Sequence, residues 1–482
     1  METFSELESK YRQIPVRTRD GDFAGVFTLD REKTVLRLAG STIPHRKKDQ
    51  SGWFDIHLIA SNGMHILLHH ALQTQSTFFG GQRDRFEEHI FPNTVVYQSD
   101  RLGKAGNIKT ISFQLDKMGW FFHHQYVEYH SLYKASKNDL KNLRRLRAKQ
   151  KHKYDFFRPS NVYIVHKPTR AIRFQVNDRT YEVFTTASGS LGGWDRIDFR
   201  SAPVGCITFS NPTPIDVALE HIWSWAQFFS QIAMQPLAPL GISARSQKTY
   251  RHGEASLYLP NLKDLTTDSH FHPGDVPLSS WHDREGLTTV MQQWLSLSKS
   301  RQRFRVSLNS VIERMRRRAS LDDIVTLCAG IESLVELNQA SGLTNAQIEI
   351  LTQSSKEKAE KEKIDVNTDR IRNLFKMLQQ QSLSKKLTSL FSKMNFDLSP
   401  SAQKDLVKTI LELRTIAAHG SPYSESTIPR AAPAIQALAS ACSLFDLTTC
   451  GVPIRANEHA PIPAANDLES ALRELKRLAI QP

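Results

Sequence analysis

The period of the apolar residues changes near Leu287, and that change sets what the chain can become. Before it, β-forming residues alternate or cluster over short runs. Residues 23–29 and 34–38 flank a turn at Asp30-Arg31-Glu32, and residues 56–60 and 65–68 flank Ser61-Asn62-Gly63. Residues 111–115, 119–122, 162–166, 172–176, 181–185 and 206–209 continue the pattern. Short strands at this spacing predict a sandwich or a curled sheet. Beyond Leu287 the apolar residues recur at three and four, the period of a helix with one buried face. Helices are expected over 287–298, 304–317, 321–338, 344–362, 369–380, 384–391, 402–419 and 429–447. Long helices joined by short connections make a bundle. The expected fold class is therefore α+β and multidomain: a β-rich N-terminal domain followed by an α-helical bundle.

The boundaries follow from the same reading. Residues 1–210 form the β-rich domain, with a basic insertion at 134–153. Residues 211–286 hold one helix, opened by Pro212-Thr213-Pro214 and running over about 215–234, and then a proline- and histidine-rich linking segment with some strand at 255–259. The bundle occupies 287–450. Residues 451–482 are a Pro/Ala-rich tether and a short amphipathic helix. There Leu468, Leu472, Leu475 and Leu478 make one stripe that docks on this chain or on a partner.

Charge narrows the class of partner. Lysine and arginine number 63 against 49 acidic residues, a net charge of +14. Such an excess favours a polyanion, most often nucleic acid and sometimes an anionic membrane surface, although a basic protein can also be merely soluble. The insertion carries Lys141, Arg144, Arg145 and Arg147 within a longer basic run opposed only by Asp139. It is either a solvated charged helix or a phosphate-contacting segment giving salt-sensitive RNA affinity. A second basic region at the head of the bundle contains Lys299, Arg301, Arg303, Arg305, Arg314 and Arg316 to Arg318, either solvated or guiding RNA; Arg316 and Arg317 are its candidate contacts. The aromatics Trp223, Trp225, Phe228 and Phe229 read as core or, less simply, as a platform on which bases stack.

Several classes are excluded by missing motifs. Residues 188–193 are glycine-rich but lack the Gly-Lys-Ser/Thr ending of a phosphate loop, and there is no Gly-x-Ser-x-Gly elbow. Four cysteines, Cys206, Cys328, Cys442 and Cys450, are scattered without Cys-x-x-Cys, which fits a reducing cytoplasm. His65, His69 and His70 lack a His-Glu-x-x-His frame and read as ordinary strand histidines, as do His123 and His124. No metal or cofactor is expected. Residues 1–16 contain Glu2, Glu6 and Glu8 without an apolar core, so no secretory signal is expected, and 431–450 is too polar to span a membrane.

The chemistry concentrates at the end of the helix over 402–419. There Leu413-Arg414-Thr415-Ile416-Ala417-Ala418-His419 is followed by Gly420, a natural left-handed stop, and by Pro422. An arginine fork can hold a scissile phosphate and stabilise its developing charge. A histidine titrating near neutrality can take the 2′-OH proton or protonate the leaving oxygen. The spacing alone is unspecific, because Arg147 and His152 repeat it in the polar basic run. Taken by themselves, Arg414 is equally an interhelical salt-bridge residue and His419 a helix cap. On an ideal helix the two lie about 140° apart, so they converge only at a bent helix end or between two copies.

This stretch resembles the Apea-like branch of the HEPN superfamily, in which a late bundle helix carries Arg-x4–6-His. Leu327-Cys328-Ala329-Gly330-Ile331-Glu332-Ser333-Leu334 is similar to the first core helix of that family, with its embedded acidic residue. Phe23-Ala24-Gly25 and Leu36-Arg37-Leu38-Ala39-Gly40 are similar to the N-terminal domain of ApeA-type anti-phage proteins of prokaryotes. The resemblance implies catalytic roles for Arg414 and His419. It implies for Glu332 a part in orienting the arginine or a proton, where the plain reading is a surface carboxylate. It also implies a metal-independent endoribonuclease that acts in abortive infection on RNA such as tRNA, as a homodimer or larger homo-oligomer awaiting a phage-derived trigger. One departure stands beside the arginine. Active members often have Asn, Asp or His there; this chain has Thr415, which can still bond a phosphate. The other function open to the sequence is a non-catalytic RNA-binding scaffold built on a degenerate bundle.

Overall fold

The computed structural model describes residues 2–19, 23–30, 33–40, 52–79, 85–102, 107–122, 141, 170–191, 197–246, 253–260, 276–280, 282–315, 318–337, 345–362, 364, 367–379, 382–419, 427–455 and 461–480. It shows a β-rich N-terminal part and a helical C-terminal part, the α+β arrangement expected from the change of period.

The first helix, α1 (Phe4–Tyr11), precedes six strands: β1 (Gln13–Thr18), β2 (Ala24–Thr28), β3 (Val35–Gly40), β4 (Phe54–Ala60), β5 (His65–Phe79) and β6 (Arg85–Tyr97). They are antiparallel neighbours in the order β3-β2-β1-β4-β5-β6. Strand β3 also pairs with the first half of β6, from Leu36↔Ile90 to Gly40↔Phe86, which closes a small barrel. Closure removes the exposed edges that an open antiparallel sheet would present. Alternation does the sorting: in β1, Ile14, Val16 and Thr18 are buried while Gln13, Pro15 and Arg17 are exposed. Helix α1 carries a Thr3/Glu6 capping box. It is pinned to the sheet by the Tyr258 hydroxyl donating to Glu8 (2.6 Å) and by Tyr11 stacked on Tyr97 (4.8 Å).

The second half of β6 leads into the rest of a twelve-stranded sheet. Its other members are β7 (Ile108–Leu115), β8 (Arg170–Val176), β9 (Arg179–Leu191), β10 (Ile197–Thr213), β11 (Pro239–Arg245) and β12 (Ala255–Tyr258), in the order β6-β12-β11-β7-β10-β9-β8. Two expectations are corrected here. Residues 119–122 belong to a helical turn, α2 (Met118–Phe122), because Lys117 adopts a left-handed conformation that ends β7. The adjacent Phe121 and Phe122 are both fully buried in this turn. The segment 236–286 is more than a link, since β11 and β12 lie in the middle of the sheet; 162–166 falls outside the described residues.

Helix α3 (Ile215–Ala233) lies against this second half of the sheet. Trp225 is fully buried and packs on Phe113, Phe174, Tyr181 and Phe229. The aromatic run is therefore core and not a base-stacking platform. The same cluster holds His221, 3.1 Å from the Tyr181 hydroxyl. Burial, aided by the nearby Arg179 charge, lowers its pKa from 6.5 to about 4. The unfolded chain thus takes up this proton before the folded one does. Stability is complete above about pH 6.5 and is lost as pH falls toward 4. His221→Gln is expected to flatten the loss between pH 7 and 4, read as urea midpoints against the parent; equal slopes would contradict it.

The helical part consists of α4 (Arg284–Ser296), α5 (Ser298–Met315), α6 (Leu321–Glu332), α7 (Asn345–Lys361), α8 (Thr368–Gln379), α9 (Leu383–Lys393), α10 (Pro400–His419), α11 (Thr427–Thr449) and α12 (Pro463–Ile480). Its axis is α11, in which almost every side chain from Ala434 to Leu447 is buried. Helix α12 docks along α11 of the same chain, burying Leu468 fully and Leu472, Leu475 and Leu478 in part. The two parts are joined through α3. Trp294 donates its indole N–H to the Ser224 carbonyl (3.0 Å), and Ser443 donates its hydroxyl to the Gln231 carbonyl (2.9 Å).

A third correction concerns the basic head of the bundle. Arg301 and Arg305 are buried, not solvated and not facing RNA. Both clasp Asp446 of α11: Arg301 Nη1 to Oδ1 at 2.7 Å, and Arg305 Nε to Oδ2 at 2.8 Å. Arg305 also lies over the Trp294 ring at 3.4 Å, and Arg301 reaches Glu336 at 2.8 Å. Burial pushes the Asp446 carboxyl up, but the two guanidiniums more than reverse this and hold it below the ordinary value. Among the described residues no helix is long and apolar enough to cross a membrane.

Candidate functional site

Helices α6 and α10 pack against each other, and the candidate site lies where both end. Helix α6 starts at a Ser320/Asp323 capping box, reinforced by Arg314 Nε on Asp323 at 2.6 Å. It buries Ile324, Leu327, Cys328 and Ile331. Gly330 lets α5 approach closely, since a Cβ there would stand 3.0 Å from the Ser307 Cβ. The helix stops at Glu332, whose carbonyl accepts from the buried Lys386 amine at 2.6 Å. A cation there satisfies an orphan carbonyl and suits the negative helix end. Burial lowers the Lys386 pKa, while the Glu332 charge opposes that shift. Glu336, one turn on, is held by Arg301, and its carbonyl accepts from Lys393 at 3.0 Å.

Helix α10 begins at Pro400, where the missing N–H costs nothing, and Ser399 accepts from the Ala402 N–H (3.3 Å). Leu406, Val407, Ile410 and Leu413 form its buried stripe. Arg414 follows on the rim. Its Nη2 lies 3.2 Å from Glu332 Oε1, and the two side chains are 38 % and 44 % exposed. Glu332 is the one hydrogen-bond and ion-pair partner of Arg414 among the described residues, and this bond uses one of the five guanidinium N–H donors. Cys328 lies beneath the pair. Burial raises its thiol to about 12, partly opposed by the Arg414 charge, so it is no nucleophile at neutral pH.

His419 is the exposed last residue of α10. It makes no hydrogen bond or ion pair to Arg414, Glu332 or any other described residue. The helix stays α-helical through it, so the bend that could have united the two side chains does not occur before residue 420. Five residues turn the helix by about 500°, which leaves Arg414 and His419 about 140° apart. His419 instead shares an azimuth, to within about 20°, with Lys408 and Glu412. Those two residues, with Thr409, Arg430 and Leu475, line a groove of about 580 Å³ between α10 and α12. Arg414 thus faces α6, and His419 faces the groove side.

Thr415 is exposed, but its hydroxyl donates to the Leu411 carbonyl at 2.8 Å. It would have to leave that bond to serve a phosphate. Lys141 is exposed, whereas Arg144, Arg145, Arg147, Arg316 and Arg317 lie outside the described residues, as does the expected Gly420 stop. Arg414 and Glu332 meet across 82 residues of sequence, and the unbent helix keeps His419 at the angle that the ideal spacing implies. Because the Arg414–Glu332 pair is more than a third exposed, it contributes under about 1 kcal/mol to stability. Glu332→Gln is expected to leave the thermal midpoint within a few degrees of the parent; a larger drop would make the pair structural.

The family model described as ApeA N-terminal domain 1 matches residues 13–294, from the start of β1 almost to the end of α4. No curated protein and no solved structure matches the chain. Glu332, Arg414 and His419 all lie beyond the matched residues.

Proposed function

The chain belongs to the ApeA family of anti-phage defence proteins, and from that premise we propose that its helical part is a metal-independent HEPN-type endoribonuclease. The observation that carries this reading is the Arg414–Glu332 pair, held partly exposed at the rim of the bundle with no second partner for the guanidinium among the described residues. His419 lies five residues on, exposed at the end of the same helix.

The roles follow from the chemistry of RNA. The substrate 2′-oxygen attacks the adjacent phosphorus once its proton is taken by a histidine. The P–O5′ bond breaks, the leaving oxygen is protonated by a second acid, and a 2′,3′-cyclic phosphate results. Arg414 binds the phosphate and stabilises the extra negative charge as bonds change. Glu332 is a positioning residue that fixes the angle of the guanidinium. Each chain offers one His419, on a face turned away from its own Arg414. Two copies of the chain supply the base and the acid, so the site is completed in a homodimer. Structured RNA such as tRNA is the proposed target, and cleavage of the host pool is the route to abortive infection. The β-rich part, the portion matched by the family, is proposed to sense the phage-derived trigger and restrain the nuclease.

The test uses purified full-length protein, total tRNA and EDTA, with phage lysate added in a parallel series to supply the trigger. Cleavage is expected in at least one series. RNA bound in a salt-dependent way but cut in neither series would replace this reading with a non-catalytic RNA scaffold.

A further inference from the structure

Adjacent residues of a β-strand point to opposite faces of the sheet. His69 and His70 of β5 break that rule. Between β4 and β5 the register shifts from Phe54↔Ala71 to Ile56↔Leu68, so two residues of β5, His69 and His70, face the single Asp55 of β4. This is a β-bulge, a device that re-aims side chains. His70 sits at φ +48°, a conformation that a residue other than glycine seldom adopts. Its backbone N–H is held there by the Asp55 carboxylate at 3.0 Å. The result is two imidazoles stacked face to face, 4.2 Å apart and 18° from parallel.

A third group comes from 147 residues away in sequence. Asp216, in the first turn of α3, lies 3.0 Å from His69 Nε2 and 3.6 Å from His70 Nδ1. The ligating atoms of His69, His70 and Asp216 all lie within 4.8 Å of one another. Around a divalent metal with ligands at about 2.1 Å, neighbouring ligand atoms are about 3.0–3.4 Å apart. The other ring nitrogen of His69, Nδ1, meets Asp55 at 3.0 Å. That outer carboxylate on an imidazole N–H is the arrangement that orients histidines at metal sites. The opening is suitable too: His70 and Asp216 are 40 % exposed, while His69 is nearly covered at 12 %. The two carboxylates outweigh the weak positive end of α3, which would otherwise disfavour a cation.

We infer that His69 Nε2, His70 Nδ1 and the Asp216 carboxylate form a binding site for a divalent cation of the zinc and cobalt class, with the half-exposed His70 ring turning out of the stack so that its in-plane lone pair meets the ion. Asp55 is its positioning residue. The ion would fasten the closed barrel, through β4 and β5, to α3, the helix that carries the sheet against the bundle. Its role is structural and lies in the part of the chain that the family match covers, separate from the proposed RNA chemistry. Ion-pairing of His69 between two aspartates explains the position of His69. It does not explain why the bulge and a left-handed backbone also turn His70 onto the same carboxylate.

The experiment strips the full chain with EDTA, removes the chelator, and titrates Co²⁺ while following its visible absorption; Zn²⁺ is then added as competitor. One equivalent is expected to bind, to be displaced by Zn²⁺, and to raise the thermal midpoint. His70→Gln and Asp216→Asn are expected to weaken binding at least tenfold, and Asp55→Asn about 10–100-fold. The metal-free midpoint of the His70 variant should stay near that of the parent, since its side chain is 40 % exposed. Absence of any Co²⁺ absorption or midpoint shift in the parent would overturn the inference. So would a response of the parent's size in all three variants, which would locate the ion on other histidines.

Discussion

Asp446→Ala is expected to destabilise the protein by about 3–5 kcal/mol, because it strands two buried guanidiniums without their counter-charge. Arg301 and Arg305 are 3 % and 1 % exposed, and Asp446 is fully buried. Removing one partner from such a cluster costs far more than the intact cluster contributes, since desolvation is no longer offset. A loss of that size is a large part of the roughly 5–15 kcal/mol that keeps a domain folded. The thermal midpoint should fall by about 10 °C or more. The combined replacement Arg301→Met, Arg305→Met and Asp446→Leu removes all three charges at once and should recover most of the loss. A single variant as stable as the parent would mean that water or another group reaches these arginines. The cluster matters for the site because Arg301 also holds Glu336, just beyond the end of α6 where Glu332 stands.

The second large effect falls on activity. Arg414→Ala and His419→Ala are each expected to lower RNA cleavage by about 10²–10⁴-fold, with folding intact because both side chains lie at the surface. Their opposite faces on α10 add a sharper consequence. If the two His419 side chains of a dimer are the base and the acid of one site, co-expressing parent and His419→Ala chains in equal amounts should leave about a quarter of the parent's activity, because about one dimer in four keeps both histidines. Activity near half would mean that one histidine suffices for each site and would contradict the shared base and acid. Sedimentation showing only monomer under cleaving conditions would contradict the shared site in the same way.

Much of this architecture is legible in the sequence, and the failures have physical reasons. The helices of the second part were readable because long amphipathic periods survive any tertiary context, and α10 was placed to within two residues at its start. The Arg414–Glu332 pairing was accessible only through resemblance, as nothing local links residues 82 apart. Arg301 and Arg305 read as solvated or RNA-guiding because charge alone says nothing of burial; what holds them buried is Asp446, about 145 positions on. Strand β11 was hidden because a short strand among prolines and turn residues carries too few alternations to stand out, whereas β12 was expected at 255–259 but not its place in the middle of the sheet. The grouping of His69, His70 and Asp216 was invisible for a different reason. It depends on one extra residue in the register of β5, and a one-residue shift is not written in any spacing motif.

The central claim is that Arg414 and His419 cut RNA by attack of its own 2′-oxygen. It is tested most directly by the ends of the fragments made from tRNA in EDTA by the triggered protein, beside Arg414→Ala and His419→Ala. The account predicts 2′,3′-cyclic phosphate and 5′-hydroxyl ends with the parent, and neither with the two variants. Fragments ending in 5′-phosphate, or the same fragments from both variants, would contradict it.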